Sequence, residues 1–127
     1  MTTSQVIALV AAIVLIDGIV LFGIRAWMKG LFEELARAYP PRPIRAGAQR
    51  KRYQSIGVNS TNFGGCIEIA TDDEHVHIRP MGLARLFGAL DLSLPRAPFA
   101  EAPPAFGGAR KAKLGKWTIA VSGATLK

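Results

Sequence analysis

Three side chains of the kind that bind soft metal ions lie near one another in the chain: Cys66, His75 and His77. His75 and His77 would share one face of a β-strand, and Cys66 would lie on the adjacent strand of the same hairpin, which is a feasible geometry for a three-ligand metal site. No fourth ligand at a fitting spacing and no Cys-x-x-Cys pair accompanies them. We therefore interpret them as a buried cysteine and two solvated or capped histidines, and we predict no cofactor.

The sequence carries no recognisable catalytic motif. Ser55, Ser60 and Ser93 have no general base close by in sequence. The glycines of NFGGC and FGGAR lack the strand, loop and helix context of a phosphate-binding loop. We therefore expect a protein that is not an enzyme.

Asp17 is the only charged residue in the apolar run of residues 6–24. An ionised carboxylate is costly in the middle of a bilayer, so Asp17 should be protonated, paired with a group on a neighbouring helix, or facing a polar cavity. We predict a partner helix, which the adjacent Gly18 would allow to approach closely. The alternative is that Asp17 lies near enough to a headgroup region to reach it.

The apolar run itself predicts a transmembrane helix over residues 1–24, with a short external amino terminus. At about 1.5 Å per residue the run nearly covers the ~30 Å hydrocarbon core of a bilayer. A cleaved signal would begin with basic residues and end in small ones, whereas MTTSQ carries no basic residue. Arg25, Trp27 and Lys29 follow the run, and we expect them to be interfacial anchors.

All 16 Lys and Arg residues follow the apolar run, and the formal net charge is +7. Because basic flanks remain in the cytoplasm, the amino terminus should be outside and residues 25–127 inside. Anionic lipid attracts each basic residue by roughly 1 kcal/mol. We expect lipid contacts from Arg42, Arg45, Arg50, Lys51, Arg52, Arg110, Lys111 and Lys113. No aromatic and basic platform accompanies the charge, so no nucleic-acid partner is predicted.

Helical periodicity continues after the run. Apolar residues recur at four-residue intervals: Trp27, Leu31, Leu35 and Tyr39. They predict an amphipathic, membrane-proximal helix over residues 25–39. Either this helix bends at Gly30 and lies along the headgroups, or it extends straight and packs on a partner. The prolines at positions 40, 41 and 43 end it, and residues 40–51 read as a stiff basic linker.

Short apolar runs separated by turn residues predict a small antiparallel β-rich domain over residues 52–127. Its candidate strands are residues 53–58, 66–71, 76–79, 90–94 and 117–122. NSTNFGG supplies the first turn, and Asp72, Asp73 and Glu74 supply a tight hairpin. Residues 81–89 could form a helical turn or a loop, and we expect Leu83, Leu86 and Phe87 to fold onto the sheet. The Pro- and Gly-rich segment 95–115 is expected to be irregular.

Residues 55–94, above all NSTNFGGCIEIATDDEHVHIRPM followed by LDLSLP, resemble a loosely defined group of small bacterial single-pass membrane proteins with a pleckstrin-homology-like β domain. In that group an Asn-rich turn precedes a Cys and an alternating strand, and an acidic hairpin follows. A later strand ends in Pro and often Trp, whereas Arg96 follows Pro95 here. The resemblance implies a bacterial inner membrane and no catalytic residues.

Two functions are consistent with this reading. The first is an accessory or assembly subunit of a cytoplasmic-membrane complex of respiratory or photosynthetic type, with integral membrane subunits and anionic lipids as partners. The alternative is a free-standing membrane-surface adaptor that binds lipid headgroups or a peptide through its β domain.

Overall fold

One long helix and a six-stranded antiparallel sheet form the computed structural model, which describes residues 1–103 and 109–122. Helix α1 spans Thr3–Ala38 and remains helical through Gly30. Its first turn is closed by a capping box, in which Gln5 N donates to Thr2 Oγ1 over 3.2 Å and Thr2 N donates to Gln5 Oε1 over 2.9 Å. It ends just before Pro40, since proline cannot donate the next helical hydrogen bond.

The amino-terminal part of α1 is bare. Every residue from the start of the chain to Trp27 is exposed, and the helix is long and apolar enough to cross a membrane. The carboxyl-terminal part behaves differently, because Met28, Phe32 and Leu35 are buried against the sheet. Their spacing places them on one face of the helix.

The six strands form one half-barrel sheet with the spatial order β4-β3-β2-β1-β6-β5. Their bounds are β1 Gln49–Val58, β2 Thr61–Thr71, β3 His75–Pro80, β4 Leu92–Pro95, β5 Arg110–Leu114 and β6 Trp117–Val121. Two short helices, α2 Gly82–Leu86 and α3 Ala97–Glu101, flank β4 in sequence. The inward residues of the sheet form the core together with α1: Ile56, Val58, Ile67, Ile69, Ile78, Leu92, Leu94, Ile119 and Val121.

These elements confirm the predicted combination of an amino-terminal apolar helix with an antiparallel β domain. The amphipathic part of α1 continues as one helix through Gly30, as the second predicted alternative has it, but its apolar side packs on the protein's own sheet and not on a partner. The physical reason is that one face of a half-barrel needs an apolar cover. The four-residue spacing predicts an apolar side that includes Trp27 and omits Phe32. In the structure Trp27 is exposed and Phe32 is fully buried.

Some boundaries also differ from the sequence-based ones. Strand β1 begins at Gln49, within the expected linker. The first turn is only two residues long, because Val58 pairs with Thr61 and Asn59 adopts a left-handed φ of 56°. Strand β5 and helix α3 lie within the segment 95–115 that was expected to be irregular. Residues 104–108 of that segment, and residues 123–127 of the predicted domain, lie outside the described residues.

Candidate functional site

A buried chain of polar side chains crosses the sheet at one end. Asp72 follows β2 in the hairpin, His77 lies in β3, and Ser93 is its cross-strand partner in β4. His77 Nε2 lies 2.6 Å from Asp72 Oδ2, and His77 Nδ1 lies 2.8 Å from Ser93 Oγ. The His77 side chain is 0% exposed and that of Asp72 is 3% exposed. We call Asp72, His77 and Ser93 the polar relay.

Burial sets the charges of the relay. It lowers the pKa of His77, and although Asp72 acts in the opposite direction, the net shift is downward. Burial alone would raise the pKa of Asp72, but hydrogen bonds from His77 and from the backbone N–H groups of His75, Glu74 and Arg45 outweigh it and hold the pKa well below its ordinary value. The result is an aspartate anion beside a neutral histidine.

These protonation states fix the direction of each hydrogen bond. His77 Nε2–H donates to the Asp72 carboxylate, which leaves Nδ1 free to accept from the Ser93 hydroxyl. Ser93 Oγ in turn accepts from the backbone N–H of Arg42 over 2.8 Å. Each of these buried polar groups therefore has a partner.

The relay contains the three residue types of a hydrolytic triad, yet its geometry differs from one. In such triads the carboxylate holds Nδ1 and the nucleophile faces Nε2, whereas here the two are reversed. Ser93 is 3% exposed and its oxygen already accepts from the backbone of Arg42. The nearby cavity of about 470 Å³ is lined by Asp72 and Arg45 and not by Ser93. This geometry joins β3, β4 and the segment at Arg42 through hydrogen bonds, and it does not present the Ser93 hydroxyl as a nucleophile.

The relay and the residues beside it bind the segment that follows α1. Ser93 N donates to Tyr39 O over 3.4 Å, and Arg79 Nη2 donates to Arg42 O over 3.0 Å. Further along, the Arg45 guanidinium donates to Asp73 over 3.4 Å and to Glu74 over 2.7 Å. The proline-rich segment is thus fastened along β4 and the acidic hairpin.

The three candidate metal ligands that the sequence offers, Cys66, His75 and His77, do not lie together in the fold. His75 and His77 do share a strand face, with ring centroids 5.7 Å apart. Cys66, however, lies at the other end of the β2–β3 pair, where its carbonyl accepts from Met81 N over 2.8 Å. Burial raises the pKa of its thiol, which disfavours the thiolate that a metal would need. The side chains that lie together instead are Asp72, His75 and His77, with ligand atoms within 4.8 Å.

Asp17 and Gly18 lie on the bare part of α1. No hydrogen bond or ion pair joins the Asp17 carboxylate to any residue that the structure describes. A Cβ added at Gly18 would meet nothing within 4 Å, so the surface beside Asp17 is open. The place of these two residues is therefore consistent with contact to another molecule.

The predicted interfacial anchors lie where the β domain begins to touch α1. Arg25 Nε donates to Leu86 O over 3.3 Å. Trp27 stacks on Phe63 with ring centroids 6.2 Å apart. Lys29 lies 3.8 Å from Glu33 and also contacts Gly88 through its side chain.

Two apolar grooves open at this same level of α1. The smaller, of about 240 Å³, lies between Leu21, Phe22 and Arg25 of α1 and Leu86 and Phe87. The larger, of about 360 Å³, lies on the side of Met28 and Phe63, and its lining includes Leu83. The sequence predicts that Leu83, Leu86 and Phe87 fold onto the sheet. Phe87 does pack partly against the core, but the prediction is wrong for Leu83 and Leu86, which are exposed and line these grooves.

The eight basic residues assigned to lipid contact occupy several different places. Arg45 and Arg50 are engaged by carboxylates, Arg50 at 3.2 Å from Glu68. Arg110 donates to Ala102 O over 2.7 Å, and Arg42 is held through its backbone. The others are exposed on β1 and on the edge strand β5: Lys51, Arg52, Lys111 and Lys113. Contact of this set with anionic lipid stays a prediction.

Comparison of the chain with family models, curated proteins and solved structures finds no match. The resemblance of residues 55–94 to bacterial single-pass membrane proteins therefore stays a prediction as well. Two geometric features remain as a basis for a function: the exposed apolar part of α1, and the β domain that packs on its carboxyl-terminal part.

Proposed function

We propose that this protein is a non-catalytic accessory subunit of a cytoplasmic-membrane complex, of respiratory or photosynthetic type, whose transmembrane helix binds a partner helix through Asp17. The observation that carries the proposal is the position of that carboxylate. It lies within an apolar helical segment that no other part of the described chain covers. In hydrocarbon a lone carboxylate is costly, and a donor or a basic group on a second helix would offset the cost.

The joint between helix and domain supports a structural role. Phe32 is fully buried beneath the sheet and contacts Phe63 edge to face at 5.6 Å. On the other side, Lys116 pairs with Glu34, and Trp117 packs on Tyr39 with ring centroids 6.2 Å apart. A domain fixed in this way would be held at a set height and angle above the bilayer, as a subunit that covers one face of an assembly requires.

The orientation in the proposal follows from the charges. All Lys and Arg residues follow the apolar run, and the positive-inside rule then puts the β domain in the cytoplasm and the amino terminus outside. Exposed basic residues such as Lys51 and Arg52 would add attraction to anionic headgroups where they can reach them.

The test is whether Asp17 holds the protein in an assembly. Membranes that contain the wild-type chain are solubilised in mild detergent and analysed on a native gel, beside the Asp17→Leu variant and an Ile16→Leu control. We expect a large stoichiometric assembly for wild type and control, and a small particle for Asp17→Leu that still resists alkaline carbonate extraction. Unchanged migration of Asp17→Leu would contradict the role of Asp17.

A second candidate is the free-standing adaptor, and one observation favours it. Strand β5 lies at the edge of the sheet and pairs only with β6 among the described strands, so its outer side offers backbone groups to an added peptide strand. The opposite edge strand, β4, is already covered by the segment after α1. A small particle for the wild-type chain on the native gel would favour this adaptor over the subunit.

A further inference from the structure

Two leucines on α2 stand out as exposed apolar side chains of the β domain. Leu83 is 65% exposed and Leu86 is 69% exposed. They lie three residues apart, so both project from one side of the short helix, beside the half-buried Phe87. Leucines this exposed are individually unremarkable in a soluble domain, so their position relative to α1 is what matters.

That position is fixed by the two grooves. Leu86 and Phe87 line one groove together with Leu21 and Phe22, and Leu83 lines the other together with Leu21 and Ile24. Leu21 lies one helical turn, about 6 Å, before Arg25, within the apolar run. If that run is in hydrocarbon, α2 lies beside its last turn and is at the depth of the acyl chains or of the glycerol backbone.

Several polar groups of α2 have hydrogen-bond partners within the protein, which suits a position at this depth in the membrane. Arg85 is the only charged residue of α2, and it bonds to Asp91 over 2.6 Å and to Pro80 O over 3.1 Å. The carbonyl of Leu86 accepts from Arg25, and the carbonyls of Leu83 and Ala84 accept from the backbone N–H groups that follow. Backbone groups that are satisfied internally can enter an apolar region at low cost.

The α2 segment is also held against α1. Gly88 has a φ of +92°, and a Cβ at this position would lie 2.7 Å from Lys29 Cβ. Close contact of backbone and helix here, together with the Arg25 to Leu86 hydrogen bond, leaves α2 little freedom to withdraw from the level of Leu21.

We propose that residues 81–90 form a second membrane contact, in which Leu83 and Leu86 enter the cytoplasmic leaflet beside α1 and phospholipid acyl chains occupy the two flanking grooves. The inference rests on the proposed transmembrane placement of α1. Lipid is the occupant that the geometry favours, because the apolar surface of α2 is continuous with the surface of the span itself.

Spin labels measure this depth directly. In the full chain with Cys66→Ala, single cysteines are placed at Leu83 and at Leu86 and labelled after reconstitution into phosphatidylcholine and phosphatidylglycerol vesicles. Ile13→Cys reports the span, and Ala100→Cys on α3 reports the aqueous side. Collision with oxygen, which concentrates in lipid, is compared with collision with a water-soluble nickel chelate.

We expect labels at positions 83 and 86 to favour oxygen as the label at position 13 does, while position 100 favours nickel. Nickel preference at 83 and 86 together with oxygen preference at 13 would overturn the second contact and leave the span intact. Shielding of 83 and 86 from both reagents would show that a second copy of the protein covers α2, which also overturns it. Nickel preference at position 13 would overturn the span itself.

Discussion

At the scale of single residues, His77 determines how the end of the sheet responds to acid. Its ring accepts from Ser93 only while Nδ1 carries no proton, and burial keeps it in that state by lowering its pKa. The charged and titratable groups near it are Asp72, which favours protonation, and Arg79 and His75, which oppose it. Protonated His77 would lose its bond from Ser93 and place a second donor against the hydroxyl.

We predict that the protein loses stability as the pH falls below about 6.5, the ordinary pKa of histidine. In that range the unfolded chain binds a proton that folded His77 does not, so the free energy of unfolding decreases with falling pH. The lowered pKa of Asp72 adds a further loss below about pH 4. Thermal unfolding of the detergent-solubilised protein, followed by tryptophan fluorescence between pH 8 and about pH 2.5, measures both parts of the slope.

Two histidine variants test this prediction, with His77→Gln as the change and His75→Gln as its matched control. His77→Gln should reduce the slope between pH 6.5 and 5 while lowering stability at pH 8, because Gln cannot titrate and fits the relay poorly. His75→Gln is the matched control, because it replaces a neighbouring histidine and leaves the hydrogen bonds of His77 to Asp72 and Ser93 in place. If His77→Gln titrates as steeply as wild type, some other group is responsible for the acid response.

The polar relay also shows what the sequence left undetermined at this scale. Ser93 was seen in the sequence without a base, because only the cross-strand register of β3 and β4 places it opposite His77. A shift of that register by one residue would point Ser93 away from His77. The acidic hairpin, by contrast, was predictable, since Asp72 accepts from the backbone N–H groups of Glu74 and His75 as aspartates in tight turns do.

At the scale of elements, α1 is one helix with two different environments. Its first part presents apolar residues all round, while its last part buries only one face, through Met28, Phe32 and Leu35. Burying side chains of this size stabilises a fold by about 1.5–3 kcal/mol each. The helix is therefore a structural part of the β domain as well as a candidate anchor.

Two phenylalanines on α1 allow these environments to be compared. Phe32→Ala should destabilise the β domain by about 3–5 kcal/mol, because it opens a cavity beneath the sheet. Phe22→Ala should change stability little, since Phe22 is 71% exposed. Denaturant unfolding of both variants in detergent, monitored by the fluorescence of Trp27 and Trp117 together, measures the difference, and equal effects would show that α1 does not contribute to the core.

Strand β5 illustrates why not every element was predictable. Its sequence, RKAKL, reads as a basic patch, and its only inward residues are Ala112 and Leu114. Its lysines alternate with these inward residues and are exposed, which suits a strand at the edge of the sheet, so the same residues that obscure the strand in the sequence fit its position. The apolar run of α1 needed no such context, because length and composition alone identified it.

At the scale of the whole molecule, the proposed direction of the chain through a membrane determines which contacts are available. The proposed orientation places the β domain, with its exposed basic residues, on the side of the anionic leaflet. It also places α2 and its leucines in that leaflet. Reversal of the chain would remove the basis for both the lipid contacts and the assembly at a cytoplasmic face.

Single-cysteine labelling in intact cells tests this orientation. In a Cys66→Ala background, Thr3→Cys should react with a membrane-impermeant maleimide before lysis, because the proposed orientation places the amino terminus outside. Asp73→Cys, on the exposed tip of the acidic hairpin, should react only after the membrane is broken. The two variants control for each other, since both sites are exposed and differ only in the side of the membrane. Labelling of Asp73→Cys in intact cells would place the β domain outside, and the positive-inside argument would then fail for this chain.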